Sequence, residues 1–460
     1  MALGRCVAPI AFVALSLSSF CRAVETRRVP QEFATIGEAV AAAATGDTIL
    51  VGAGEYRENV VTGAAGLRFV GQRAVWDGTI GGVPGTCLTC NGALVTVQGF
   101  TFRNGTDLLV LNGPGSVASR CRFENASDDG VQINADDVTV SKCSFFGISD
   151  TTILVINNRA RVLIDRNRLF NCGDEGIDVS GPGARILFNY IHTVDDNDAI
   201  RLNGGGGTDA VIMGNRIFNA ADEGIEVSSS PGVLVARNTI LHAGGEGIFI
   251  NGVDGARVER NRIEGSGSHA IRLIGDDFSI TSNVVRFTID DADGCNVANA
   301  LSGGGGLFER NTILGATAFG CQLAADAAII RNNRVSFCGS EDQAGFLIAG
   351  DNNTLERNRA TRCDADGFRI NGDFNTLAGD VASACSVDGF DVETGTGNRL
   401  TTVRAMDCGG EGFENNAAAT EVAGATFLRN RIDVANNGTV AAFDNVRFET
   451  GGLGTAPEIE

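Results

Sequence analysis

Asparagines at positions 167, 189, 215, 238, 261, 283, 311, 333 and 358 recur at intervals of 22 to 28 residues. Each lies in a phrase such as RVLIDRNRLFNCGDEGIDVSG or ARVERNRIEGSGSHAIRLIG. The phrase runs as a short apolar stretch, the Asn, a second short stretch, a few small or polar residues, then Gly or Ala before an apolar-x-apolar triplet. Three strand-length pieces per period, with no helical stretch, describe one turn of a parallel β-helix. One such turn cannot bury its apolar face alone, so it must stack on copies of itself. Phe100, Cys121, Cys143, Asp380, Val403, Ala425 and Val446 take the Asn position where it is replaced, which makes sixteen rungs between about residue 94 and the C-terminus. At roughly 4.8 Å per rung the coil is expected to be a rod about 75 Å long.

This repeat overrides the prior that 460 residues make two or three globular domains. The segment Met1 to Ala23 has a basic Arg5, an apolar run from Cys6 to Phe20, and Cys21-Arg22-Ala23 as a cleavage site, and it is too short to span a bilayer. It reads as a signal peptide, and the protein as soluble and secreted or periplasmic. Phe20 ahead of Cys21 argues against a lipoprotein signal. Thr35-Ile36-Gly37-Glu38 is a capping box leading into Ala39 to Ala44, a short helix expected to cover the open end of the coil. The expected organisation is residues 1–23 as signal, 24–93 as N-terminal cap and first turns, 94–450 as the β-helix and 451–460 as a loose tail.

The formal charge is −20, and Lys142 is the one lysine among 36 basic residues. Such a surface repels polyanions, which makes nucleic acid an unsuitable partner. A uronate polymer would need local arginines or bridging cations. Of thirteen cysteines, Cys6 and Cys21 leave with the signal, and the odd number that remains cannot form a complete disulfide set. Cys172, Cys338, Cys363, Cys385 and Cys408 share one small-residue column, and Cys295 and Cys321 share an apolar one, so packing is the first reading. If bridges form, Cys121 with Cys143 is the foremost pair and Cys87 with Cys90 the next.

FATIGEAVAAAATGDTILVGAGEYRENVV, then LRFVGQRAVWDG and VTVQGFTFRNG, resemble the opening of the pectin-lyase-like right-handed β-helix superfamily, and the later rungs resemble its generic repeat. The resemblance covers about residues 30 to 450. It implies an all-β, right-handed, single-stranded parallel β-helix of about sixteen rungs with a short N-terminal capping helix. The Asn column would fill the turn between the second and third strands. The GIxV triplets would form the first strand, whose outer face carries chemistry in such proteins. Activity does not follow from the fold, since the superfamily holds lyases, hydrolases, epimerases, esterases and coat proteins.

The column just before each Gly or Ala reads Asp129, Thr151, Glu175, Asp198, Glu223, Glu246, His269 and Asp293, and later Asp366, Asp388 and Glu411. The outward column of the triplets includes Asp178, Arg201, Glu226, Phe249 and Arg272. Like charges stacked one rung apart raise one another's pKa, the condition for a carboxylic acid to act beside an ionised partner. Glu175 and Asp198 occupy places resembling polygalacturonase carboxylates. Glu223, however, stands where that family has a His, and its Arg-x-Lys clamp is missing. For β-elimination, a pectate-lyase-like scheme uses an Arg base and calcium. Arg201 or Arg272 could be the base, and Asp195, Asp196 and Asp198 could hold calcium through oxygen ligands. Gly389 to Glu393 resembles the start of an alginate epimerase signature but lacks its Pro-His, and no esterase motif is present.

The catalytic candidates are therefore Glu175, Asp198, Glu223, Arg201, His269 and Arg272, with Asp178, Glu226 and Phe249 contacting substrate. The expected partner is an extracellular polysaccharide, bound or processed by acid/base chemistry. The competing reading is a non-catalytic surface or matrix rod. Evenly repeated acids and short connections favour it, and Asp178, Arg201 and Glu226 would then merely pair across rungs.

Overall fold

The computed structural model describes residues 23–204, 208–289, 292–298, 304–339 and 342–448. The predicted signal peptide, up to residue 22, and the predicted tail lie outside the described residues. The chain winds through three parallel sheets, visiting each once per turn. The first sheet runs from Val60–Thr62 to Ile432–Asn436, the second from Thr26–Val29 to Val440–Asp444, and the third from Gly54–Arg57 to Arg447–Phe448. The second sheet has nineteen strands. Each of the sixteen expected Asn-position residues directly precedes a third-sheet strand, from Thr101–Arg103 to Arg447–Phe448. Two further turns lie ahead of these, because Gly54–Arg57 and Ala74–Asp77 already pair in the third sheet.

Alternation decides what faces inward. In Ile177–Ser180, Ile177 and Val179 are fully buried while Asp178 and Ser180 are partly exposed. In-register pairing stacks Ile177, Ile200, Ile225, Ile248 and Ile271 into one interior column. Further along, Phe346, Phe368 and Phe390 fill the same column with rings 4.8 and 4.9 Å apart and nearly parallel. Truncating any of these to Ala would cost about 2–5 kcal/mol in lost burial and cavity.

The turn before the third sheet needs a left-handed residue ahead of the Asn: Arg166, Phe188, Arg237 and Arg260 all have φ between 54° and 56°. That conformation costs about 1–2 kcal/mol for a side-chain-bearing residue. The asparagine ladder offsets it. The Oδ1 of Asn261 accepts both the backbone N–H (2.9 Å) and the Nδ2–H (3.1 Å) of Asn238, whose Nδ2 also donates to the Ile212 carbonyl at 2.9 Å. The pattern repeats from Asn167 through Asn358, where Asp380 takes it over. A second, shorter ladder that the period did not reveal runs through Asn353, Asn375 and Asn398, ahead of the second-sheet strands.

The predicted N-terminal helix is present as Ile36–Ala41. It is capped by Thr35 and Glu38, and it packs Ile36 and Ala39 against the first strands. The eleven described cysteines are buried free thiols, so neither the Cys121–Cys143 nor the Cys87–Cys90 bridge forms. Each Sγ of the first pair instead donates to a nearby carbonyl, Cys121 to Ser119 and Cys143 to Ser141, both at 3.4 Å.

Candidate functional site

Strand register brings the expected outward column together: Asp178, Arg201, Glu226, Phe249 and Arg272 are successive partners on the first sheet. The acidic column lies one step ahead, where the chain turns onto that sheet. The following glycine is sterically required in at least one rung: a Cβ on Gly224 would come within 2.6 Å of the Gly247 carbonyl oxygen.

Most acids of this column are buried, including Asp129, Glu175, Asp198, Glu246, Asp293, Asp366 and Asp388. The aspartates have an architectural task. Asp198 Oδ1 accepts the Glu223 N–H at 3.0 Å, Asp293 Oδ1 the Phe319 N–H at 3.1 Å, and Asp366 Oδ1 the Asp388 N–H at 3.0 Å. An N–H that would otherwise be orphaned at the turn is thereby satisfied.

The glutamates do something different. Glu175 receives the Thr151 hydroxyl at 2.9 Å and an Arg201 Nη at 2.5 Å, and the other Nη of Arg201 reaches Asp178 at 2.7 Å. Burial pushes the Glu175 carboxyl up, while Thr151 and Arg201 pull it back. Arg201 is thus clamped between two acids one rung away. Removing it would strand Glu175 as a buried charge.

Asp198 and Glu223 form a coupled pair. Both are raised, first by desolvation and then by neighbouring carboxyls: Glu226 acts on Asp198, and Asp198, Asp222 and Glu246 act on Glu223. Glu223 is raised the more of the two. Next along the stripe, Arg272 Nη1 lies 3.2 Å from Glu246 Oε1 and its guanidinium sits 5.1 Å from the Phe249 ring centroid. His269 Nδ1 accepts the Asp293 N–H at 3.1 Å, which assigns the ring proton to Nε2 in the neutral imidazole.

The structure groups the metal-type oxygens differently from the expectation. Asp198 joins Asp222 and Glu223, all within 4.8 Å of one another, whereas Asp195 and Asp196 are exposed and outside this group. The turn before Asp198 points those two side chains to solvent. A second such set is Asp150, Asp174 and Glu175. Asn197, in the place of an acid, donates to Asp174 at 3.0 Å. Sequence reasoning missed Thr151, Asp174 and Asp222 as contributors. The signal was the column two residues before each Gly or Ala, where Asp128, Asp150, Asp174 and Asp222 recur. It also missed a duplication: Asp388, Glu411 and Glu414 converge, and they occupy the same two columns as Asp198, Glu223 and Glu226.

The sequence profile described as "Right handed beta helix region" matches residues 79–191, 129–285 and 281–449. A search of curated proteins finds no match. Among solved structures the chain is similar to an alginate lyase from Paenibacillus sp., at 12% identity over 62% of this chain and 95% of that one, with a TM-score of 0.38. It is similar to the A-module of the Azotobacter vinelandii mannuronan C-5 epimerase, at 11% identity over 91% and 92%, TM-score 0.33. A double mutant of an E. coli bacteriophage tailspike protein aligns at 14% identity over 70% and 64%, TM-score 0.42. At such identity the likeness is one of architecture.

Proposed function

The chain belongs to the right-handed β-helix family, and on that premise we propose that it is an exported protein that binds and cleaves a polysaccharide along the first sheet. The observation that carries this reading is the convergence of Asp198, Asp222 and Glu223 beside Glu226, with Asp198 bound to the Glu223 backbone and both of these carboxyls raised by burial and by their neighbours. Glu223 is only partly buried, so a carboxyl that burial and neighbouring acids raise is also within reach of a ligand. In this scheme Glu223 gives its proton to the leaving glycosidic oxygen as the C–O bond breaks. Water supplies the hydroxyl to the sugar carbon and returns a proton to the pair. Phe249 offers a sugar platform and Arg272 an orienting cation, while Arg201, held by Glu175 and Asp178, fixes the neighbouring rung. His269 flanks the stripe as a hydrogen-bond donor through Nε2. The oxygens of Asp198, Asp222 and Glu223 are also a donor set for calcium, in place of the Asp195, Asp196 and Asp198 set. Export rests on the N-terminal segment, and no helix among the described residues is long and apolar enough to cross a membrane.

The test is incubation with pectic, alginate, glycosaminoglycan and neutral polysaccharides, with calcium and with chelator. Reducing ends report hydrolysis and ultraviolet absorbance reports unsaturated uronates. Reducing ends formed by the wild type and abolished in Glu223→Gln would establish the scheme. Unsaturated products would move the chemistry to elimination, and silence on every polymer would sink catalysis.

A second reading, the non-catalytic rod, has one specific observation behind it. The Asp-Glu-Glu arrangement recurs at Asp388, Glu411 and Glu414, eight rungs further on. A site that appears twice along a rod suits a repeating surface as well as a single active centre.

A further inference from the structure

The outer face of the third sheet changes character in its middle. Arg122 and Arg262 each form an ion pair with the acid two residues on, Glu124 and Glu264 respectively. Between them the acid's place is taken by Phe146, Phe170, His192, Phe218 and Leu241, in register from rung to rung. Arg168 and Arg216 therefore have an aromatic ring where Arg122 and Arg262 have a carboxylate. Both are exposed, and neither has an ion-pair partner among the described residues. Tyr190 stands between them as the common strand partner of both.

The rings make a continuous floor. Tyr190 lies 5.5 Å from Phe170 and 5.4 Å from Phe218, centroid to centroid. At one side Phe188, 47% exposed, rises as a wall with the Arg166 guanidinium 5.2 Å from its ring centroid. Gly214 is what lets Phe188 lie there, since a Cβ at that position would be 2.5 Å from the ring. Floor and wall enclose a groove of about 620 Å³ lined by Arg166, Arg168, Phe170, Phe188, Tyr190 and Arg216. Arg166 is itself paired with Asp165 at 2.6 Å, so Arg168 and Arg216 supply the uncompensated charge.

On a chain of net charge −20, two free guanidinium groups flanking a half-buried aromatic floor mark an anion site of a particular shape. The apolar faces of pyranose rings fit the floor, and sugar carboxylates fit the planar guanidinium fork. We propose that this groove binds an acidic oligosaccharide of the uronate class, its rings laid over Phe170 and Tyr190 and its carboxylates paired with Arg168 and Arg216. The site is separate from the first-sheet stripe and does not depend on catalysis there.

The test is calorimetric titration of the full chain with hexagalacturonate, in chelator so that calcium cannot bridge the ligand to the acidic face. The expected result is saturable binding that weakens with added salt. It should fall about tenfold in the Arg168→Gln/Arg216→Gln double variant, since each exchange removes one charge-assisted contact. Binding should be unchanged in Arg404→Gln, an exposed arginine that begins a third-sheet strand far from the groove. Circular dichroism melting of the double variant, in which only exposed side chains change, should match the wild type. No binding by the wild type would overturn the proposal, as would unchanged affinity in the double variant or equal affinity for cellohexaose. Loss in Glu223→Gln alone would place the ligand on the first sheet, and tighter binding of a single-stranded oligonucleotide of equal charge would make the groove a nucleic-acid site. Either outcome overturns the assignment.

Discussion

Asp198 acts on Glu223 twice: its Oδ1 accepts the Glu223 backbone N–H at 3.0 Å, and its carboxyl adds to the burial that raises the Glu223 carboxyl. The backbone contact fixes the pair's spacing. Glu223→Gln keeps the shape and removes the titration. It is expected to lower turnover by about a hundredfold or more. Because the Glu223 pKa is raised in the folded protein, the native state binds more protons than the unfolded one above the ordinary glutamate value. Wild-type stability therefore falls as pH rises from that value through the raised one, and the Gln variant escapes this loss. Melting curves across pH compared with reducing-end assays separate the two effects.

Asp380 ends the asparagine ladder with the wrong side chain. Its Oδ1 accepts the Asn358 N–H at 2.7 Å and Nδ2–H at 2.9 Å, but its buried Oδ2 has no partner, and burial raises its pKa to about 7. The raised value means that stability is lost as pH climbs from the ordinary aspartate range to about 7. Asp380→Asn supplies a donor in place of the orphan oxygen. It is expected to stabilise the protein by about 1–3 kcal/mol at neutral pH, with the gain shrinking towards pH 4. A melting temperature that is unchanged at neutral pH would refute this.

Asn261→Ala should open the rod locally. It strands the Asn238 N–H and the Val235 carbonyl, each of which Asn261 satisfies at 2.9 or 2.8 Å. The expected cost is about 2–5 kcal/mol from unsatisfied groups and cavity together. Limited proteolysis should then cut near this rung before global unfolding, since a solenoid's rungs depend on their neighbours.

Calcium should compete with protons at this cluster. Binding at Asp198, Asp222 and Glu223 requires all three carboxyls ionised, so apparent affinity is expected to rise with pH and proton release to accompany binding. Asp222→Asn should weaken binding, and Asp196→Asn, exposed and outside the group, should not. Calorimetry in buffers of different ionisation enthalpy reads the proton count directly.

The buried thiols should be silent. The eleven described cysteines are buried, and burial drives Cys90 and Cys172 up to about 12. A thiol reagent is expected to label none of them in the native state and all of them in denaturant, and reducing agent should leave the melting temperature unchanged.

The Asn period alone determined the coil, its rung register and the residues that point outward. Those depend on local spacing and alternation, and every rung repeats the same spacing. The columns Asp178 to Arg272 and Glu175 to Asp293 were legible for the same reason. What each side chain in a column does was not legible, because that depends on contacts one rung away that the period treats as equivalent. Only the tertiary structure separated Asp198, whose oxygen is occupied by a backbone N–H, from Glu223, which burial and neighbouring carboxyls raise further. It also turned Asp195 and Asp196 out to solvent and left the cysteines unbridged inside their stacks. On the third sheet it set Tyr190 between two unpaired arginines. In sequence those rungs look like the rest. In the fold, stacking places a ring where neighbouring rungs have an acid, and that substitution is felt only across the gap between strands.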